Sequence, residues 1–418
     1  MSAEHISILV LVAMFVIATV LPVNLGALAL VGAFLVGTLA ANMDTGTILD
    51  AFPGKLFVTL VGITYLFAIA TNNGTVDWVV RVSIRLVRGR LVAIPFVMFI
   101  LATLLTAVGA PAPAVAAILA PIAFGFAKQY DINALLIGLM VAHGTQAGAF
   151  SPISVLGGIV NEVVSDAKLP SNDVVLFLSS FAFNTAAAVV VFCLFGGLPL
   201  FRRVATAEDE ETEKEKSSLR LTWHQALTVT GILVLCVLAL FFDLDVGLVA
   251  VTVAVVLSLA SPKANRGAVD RIAWSTVLLI GGVVTYVGVL QEIGTIDYIG
   301  TSVAAIGAPL LAALLICYVG GVVSAFASSV GILGALIPLA VPFLLQGELG
   351  AVGLIAALSV SSTIVDVSPF STTGALLVAN VQGMDRQVFY KRLLAYGAVI
   401  VAVGPLLTWL VLVAPGWL

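Results

Sequence analysis

The chain has 418 residues, 61% of them hydrophobic and only 10% charged, with a formal net charge of −4. A mean hydropathy of +1.19 is far above what a water-solvated surface tolerates, so the composition excludes a soluble domain and makes lipid the solvent. The small net charge points to no particular partner, and no nucleic-acid partner is expected.

Apolar runs long enough to cross a hydrocarbon core of about 30 Å recur along the whole chain. Gly, Pro and charged residues divide it into segments near 5–21, 24–41, 56–72, 91–108, 114–128, 133–164 and 173–200. After a break come 223–242, 246–260, 272–291, 303–323, 330–346, 349–380 and 387–414. The first run has no basic n-region and no small-residue cleavage pattern, so it is expected to be a span and not a removable signal. The break, from Arg202 to Arg220, holds Glu208, Asp209, Glu210, Glu211, Glu213, Lys214, Glu215 and Lys216 and reads as a solvated linker. Cys193, Cys236 and Cys317 stand singly in apolar segments and imply neither a disulfide nor a metal.

The two halves align in matching order. Gly74-Thr75-Val76-Asp77-Trp78-Val79 pairs with Gly294-Thr295-Ile296-Asp297-Tyr298-Ile299 at an offset of 220, and Gly62 pairs with Gly282 in that register. Ser151-Pro152-Ile153-Ser154-Val155-Leu156-Gly157 pairs with Ser368-Pro369-Phe370-Ser371-Thr372-Thr373-Gly374 at an offset of 217, as does Pro121 with Pro338. Such internal similarity is the mark of a transporter built from structural repeats.

Orientation follows from the basic residues, which concentrate in cytoplasmic loops. Let 91–108 and 114–128 form a re-entrant hairpin and 133–164 cross once with a break near Ser151. Each repeat then has five crossings, and the second copy starts on the opposite side. On this count all of the 18 Lys and Arg residues except Lys55 and Lys168 fall inside. The expected fold is therefore an all-α polytopic membrane protein of two inverted repeats, each with five transmembrane helices, one of them broken, plus a re-entrant helical hairpin. Both termini are expected on the extracytoplasmic side of the inner (plasma) membrane.

Non-helical backbone survives at membrane depth only where it is buried in protein or lines a polar cavity. Ser151-Pro152 and Ser368-Pro369 interrupt long apolar runs, each followed by a hydroxyl (Ser154, Ser371) and a glycine (Gly157, Gly374). One such place could be an ordinary proline kink; a pair at equivalent positions points to a site. The hairpin tips, Gly109-Ala110-Pro111-Ala112-Pro113 and Phe326-Ala327-Ser328-Ser329-Val330, each open a descending half-helix. Helix N-termini offer free N–H groups and a positive dipole end to a carboxylate, and unwound carbonyls suit a sodium ion. The plainer alternative is a tight turn with small residues for packing.

No Arg or Lys lies in these four elements, so a bound anion would rest on dipoles, hydroxyls and co-bound cations. Asp366 is an acid at depth, whose repeat partner is Ala149; it is read as a sodium ligand, proton carrier or gate, or else as a cap of the broken helix. His143, Thr145 and Gln146 stand on the approach to the first break, the histidine as a hydrogen-bonded core residue or a proton relay. Asn72, Asn73 and Asn184 are expected to be glue between helices. Asp77 and Asp297 are expected to cap interfacial amphipathic helices.

At these residues the sequence resembles the ion transporter superfamily, in particular the divalent anion/sodium symporters and, more closely, the MatC-type dicarboxylate (malonate) carriers. Ser151-Pro152 and Ser368-Pro369 stand where the symporters carry Thr-Pro pairs, whereas Pro111-Ala112-Pro113 and Ser328-Ser329-Val330 replace the symporters' Ser-Asn-Thr tips. The resemblance implies a homodimer in which residues 1–90 and 222–302 are scaffold and 91–200 and 303–418 are transport parts that slide as an elevator, with 201–221 as a cytoplasmic linker. It implies sodium ligands at Gly109, Pro111, Ala112 and Phe150 in one repeat. In the other they are Ser324, Ala327, Ser329, Asp366 and Val367. Substrate contacts are implied at Ala112, Pro113, Thr145, Gln146, Ser151, Pro152 and Ser154, and at Ser328, Ser329, Ser368, Pro369, Ser371 and Thr372. The function so implied is sodium-coupled symport of a small dicarboxylate. The alternatives are a proton-coupled organic anion carrier using Asp366 or His143, an uncoupled exchanger, or a channel. A membrane-embedded hydrolase is disfavoured because Asp366 has no second intramembrane carboxylate beside it.

Overall fold

In a computed structural model, residues 2–85, 90–203, 221–242, 244–304, 308–326, 329–345 and 349–416 are described. Most of the charged linker lies outside them. Helices account for most of the described chain, and no strand occurs among the described residues. The first half runs α1 (Ala3–Val20), α2 (Leu25–Leu35), a short α3 (Thr45–Asp50), α4 (Gly54–Asn72) and α5 (Thr75–Arg85). It continues as α6 (Ala93–Ala107), α7 (Ala112–Gln129), α8 (Ala134–Ala147), α9 (Val155–Asp166) and α10 (Asp173–Leu194). The second half runs α11 (Trp223–Phe241), α12 (Val246–Ala260), α13 (Trp274–Ile293), α14 (Thr295–Ala304) and α15 (Pro309–Phe326). It ends with α16 (Ser329–Leu345), α17 (Ala351–Thr363), α18 (Thr372–Asn380) and α19 (Arg386–Leu412). Apart from α3, for which the second half has only a 3-10 turn at Val269–Arg271, the two orders correspond one to one.

Eight of the described helices are long and apolar enough to cross a membrane, the broken pair α17–α18 being counted as one. Large apolar side chains such as Leu9, Val12, Val16, Leu233 and Leu240 are exposed along α1 and α11, where lipid is the natural contact. By contrast every residue of α8 and nearly every residue of α17 is buried. These half-helices are enclosed on all sides, their polar residues included, and form the centre of the molecule.

The halves are interleaved. α2 packs on α13 while α4 packs on α12, and α7 packs on α18 while α16 packs on α9. Glycine permits the first pair of crossings: a Cβ at Gly282 would overlap the backbone of Gly26, and one at Gly62 would sit 2.5 Å from the Gly247 carbonyl oxygen. Small residues let membrane helices approach backbone to backbone, where dispersion replaces the missing hydrophobic drive.

Hydrogen bonds give the directions. Tyr286 in the second half of α13 donates to the Ser7 carbonyl at 2.6 Å, whereas Asn24, the N-cap of α2 just beyond the end of α1, donates to the Ser275 carbonyl at the start of α13, at 3.0 Å. α13 thus runs antiparallel to α1. Against α4, the Ala273 N–H donates to Thr64 Oγ1 at 3.5 Å, and Asn72 reaches back to the Arg266 carbonyl at 3.4 Å. The start of α13 therefore lies beside the middle of α4.

Details of local capping differ from the sequence-based expectation at α5. Asn73 Oδ1, not Asp77, accepts the Thr75 N–H at 3.1 Å and also the Thr75 hydroxyl, while its amide donates to Thr228 Oγ1 at 2.7 Å. One asparagine both caps and bridges, because it precedes the helix and faces α11. Of the three cysteines only Cys317 is buried; Cys193 is exposed on α10.

Candidate functional site

The two hairpins turn at equivalent residues. α7 begins at Ala112 and α16 at Ser329, positions 217 apart. Gly109 adopts φ +108°, and a Cβ there would run into Ile63, so the first tip requires glycine for conformation and for space. Pro111 stands at the N-cap of α7 with no side chain capping it, and Pro113 lies in the first turn. Ala327 and Ser328 of the second tip lie outside the described residues.

The two breaks are built alike. After α8 the chain unwinds, and Ser154 starts α9 as its N-cap: its hydroxyl accepts the Gly157 N–H at 3.1 Å and donates to the Ala149 carbonyl at 2.5 Å and the Ser151 carbonyl at 2.7 Å. After α17 a 3-10 turn, Ile364–Val367, leads to Ser371. Its hydroxyl accepts from Gly374 at 3.0 Å and donates to the Asp366 and Ser368 carbonyls at 2.5 and 2.8 Å. A Cβ at Gly157 or Gly374 would collide with the carbonyl oxygen of Ser151 or Ser368. The recurring Ser-Pro-x-Ser-x-x-Gly pattern is thus a break-and-restart device in which the second serine is bound to backbone.

A cavity of about 650 Å³ lies where these elements meet. Its wall includes the first turns of four half-helices: Ala112, Pro113 and Ala114 of α7, Val155 and Leu156 of α9, Ser329 and Val330 of α16, and Thr372 and Thr373 of α18. All four present their positive dipole ends to one space. Gln146 near the first break, Thr64 and Thr71 of α4, Arg271 just before α13, and Ser275 and Thr276 in its first turn supply further polar groups to the lining.

Asp366 joins the pieces. Its Oδ1 accepts from the Ser329 hydroxyl at 2.5 Å, and Ser329 in turn accepts from Ser324 at 2.7 Å, fastening the second tip to the second break. Its Oδ2 accepts from Gln146 Nε2 at 3.1 Å, fastening the first break to the second. No ion pair to Asp366 occurs among the described residues; the one between side chains is Lys55 with Glu162 at 2.6 Å. The other amide atom, Gln146 Oε1, is buried without a hydrogen-bond partner.

Of the residues expected to form the site, Pro111, Ala112, Pro113, Gln146, Ser329, Asp366 and Thr372 line the cavity. Phe150, Val367, Ser151, Ser154, Ser324, Ser368 and Ser371 are buried behind it. Thr145 turns its hydroxyl to the Ala142 carbonyl at 2.7 Å. His143 is buried away from the lining, with Nδ1 paired to Asn184 Oδ1 at 2.9 Å and Nε2 to the Tyr396 hydroxyl at 2.6 Å. It ties α8 to α10 and α19 as core. The first turns of α9 and α18 join the tips in the wall, Thr372 among the residues expected there. Arg271 was not expected: it enters from a loop distant in sequence from every tip and break, and no local motif marks it.

Residues 1–149 match the family described as dicarboxylate carrier protein MatC N-terminus; the matched stretch ends just before Ser151-Pro152. No curated protein matches the chain by sequence. Among solved structures, the YdaH transporter of Alcanivorax borkumensis, described as having an unusual topology, shares the fold with a TM-score of 0.59 and 14% identity over 87% of each chain. MtrF of Neisseria gonorrhoeae, described with a class of antimetabolite efflux pumps, gives a TM-score of 0.61 at 13% identity, covering 99% of this chain and 95% of its own. The first 149 residues thus match the MatC dicarboxylate carriers, and the chain as a whole has a multi-helix fold shared with solved membrane transporters.

Proposed function

We propose that the protein is a secondary active transporter that carries a small dicarboxylate of the malonate, succinate or malate class together with sodium. The observation that carries this reading is the convergence of four helix N-termini on one cavity, an arrangement suited to a carboxylate without basic residues in the tips or breaks. Ala112, Pro113, Ser329, Thr372 and Gln146 stand where the anion would lie. The serine–proline pairs Ser151-Pro152 and Ser368-Pro369, with Ser154, Ser371 and Thr145, shape the broken backbone behind it.

Asp366 gives the coupling. A carboxylate at membrane depth costs at least about 2.5 kcal/mol unless compensated, and its hydrogen bonds to Ser329 and Gln146 leave the charge without a cation among the described residues. Sodium fits the donors present: the Asp366 carboxylate, the Ser329 hydroxyl and the orphaned Gln146 Oε1 are hard oxygen ligands. Ser324 and Val367 belong to the same neighbourhood. The matching place in the first repeat, Gly109, Pro111, Ala112 and Phe150, would offer carbonyls alone. Binding sodium there gives a dianion an adjacent positive charge, so the two would bind with positive coupling.

In this reading α6–α10 and α15–α19 move as an elevator against α1–α5 and α11–α14. The protein works as a homodimer in the inner membrane, with both termini on the extracytoplasmic side and the cavity open to the cytoplasm. The test is malonate uptake by proteoliposomes under an imposed sodium gradient with no pH gradient, and the converse. Uptake driven by sodium supports the reading. Uptake driven by the pH gradient alone, with sodium inert, would transfer Asp366 to the role of proton carrier, which its partial exposure to the cavity also permits.

A further inference from the structure

Arg271 and Asp366 are the charged residues in the cavity wall, and they stand in different parts of it. Asp366 belongs to the second break, whereas Arg271 is exposed and ends the 3-10 turn before α13. That turn is well fixed. The Arg271 N–H donates to the Ala268 carbonyl at 3.1 Å, Ile272 to Val269 at 3.2 Å, and Trp274 Nε1 to the Val269 carbonyl at 3.0 Å. The Ala273 N–H is bound to Thr64 Oγ1 across the junction with α4. The guanidinium therefore extends from an ordered support, and no carboxylate pairs with it among the described residues.

The geometry points to Arg271 as a mouth subsite for anions: a cation at the open end of the cavity that captures a dicarboxylate before it reaches the helix N-termini. An isolated charge beside a cleft with apolar walls raises the local concentration of the opposite charge and the rate of encounter. The first repeat offers no counterpart. The position 220 residues earlier is Ala51, beside Phe52, so the subsite serves one face of the membrane only. The inference rests on the anion-transport reading above and adds a sidedness that the pseudo-symmetric tips and breaks would not produce.

The experiment measures malonate uptake by the full chain in inside-out and right-side-out vesicles at low and high ionic strength. The proteins are wild type, Arg271→Gln and Arg271→Lys, with malonate binding to the purified proteins by calorimetry in parallel. At low salt the Gln variant is expected to raise KM about two- to fivefold from the face bearing Arg271, the size that exposed charges command. Its kcat and its KM from the opposite face should stay the same. The Lys variant should behave as wild type, because steering needs a point charge and not a fork, and high salt should close the gap by screening. Equal KM values for Gln and wild type at low salt, an equal change from both faces, or a Lys variant as impaired as Gln would each overturn the inference. Absence of both uptake and binding by wild type would show that the transport reading itself had failed, and the subsite would fall with it.

Discussion

Placing a methyl group at the α4–α12 crossing is the most direct mechanical test of the fold. In Gly62→Ala the new Cβ would lie 2.5 Å from the Gly247 carbonyl oxygen, 3.0 Å from Val251 Cγ2 and 3.1 Å from the Val251 nitrogen. Carbon–oxygen contacts settle near about 3.3 Å, so α4 and α12 must separate by roughly 0.8 Å at this point. The nearest atom is backbone, and no rotamer change relieves it. Overpacking of this kind costs about 1–3 kcal/mol, against which alanine returns about 1 kcal/mol of helix propensity. The expected net is a loss of up to about 2 kcal/mol. Gly247→Ala, 2.7 Å from the Thr59 nitrogen and Cα, should behave alike. Gly125→Ala in α7 meets nothing within 4 Å and should be neutral or stabilised by up to about 1 kcal/mol. Thermal unfolding in detergent, followed by helical signal and by monodispersity, ranks the three. If Gly62→Ala and Gly125→Ala melt alike, the close crossing of the two halves is wrong.

At Asp366 stability and transport should part company. Asp366→Asn removes a costly charge yet keeps an acceptor for Ser329 or Gln146, so its melting temperature should stay near wild type while sodium-dependent uptake is lost. Asp366→Ala leaves both donors unpaired at about 1–3 kcal/mol each and should melt below the Asn variant. Ser154→Ala and Ser371→Ala each delete an N-cap and should cost about 1 kcal/mol, with a similar loss at both positions; a cost at one break alone would contradict their equivalence. Lys55→Gln breaks a pair in which the lysine is 62% exposed. It should change stability by less than about 1 kcal/mol, as chemical denaturation would read.

Composition, hydrophobic run length and two internal alignments were enough to read a polytopic helical protein with doubled order, because the bilayer permits so few alternatives. The equivalent starts of α7 and α16, and of α9 and α18, follow from repeated short motifs in which proline and glycine act locally. Which side chain faces which was not legible. Ser154 and Ser371, candidates for ligand contact by residue type, spend their hydroxyls on carbonyls one turn away. His143 became core because Asn184 and Tyr396, 41 and 253 residues distant, close on both ring nitrogens. Arg271 lines the cavity solely because the second half folds back against the first. Local sequence sets where a helix starts and breaks, through backbone sterics and capping that act within a few residues. The site's electrostatics depends on groups hundreds of residues apart, and packing of the interleaved halves alone decides which of them meet.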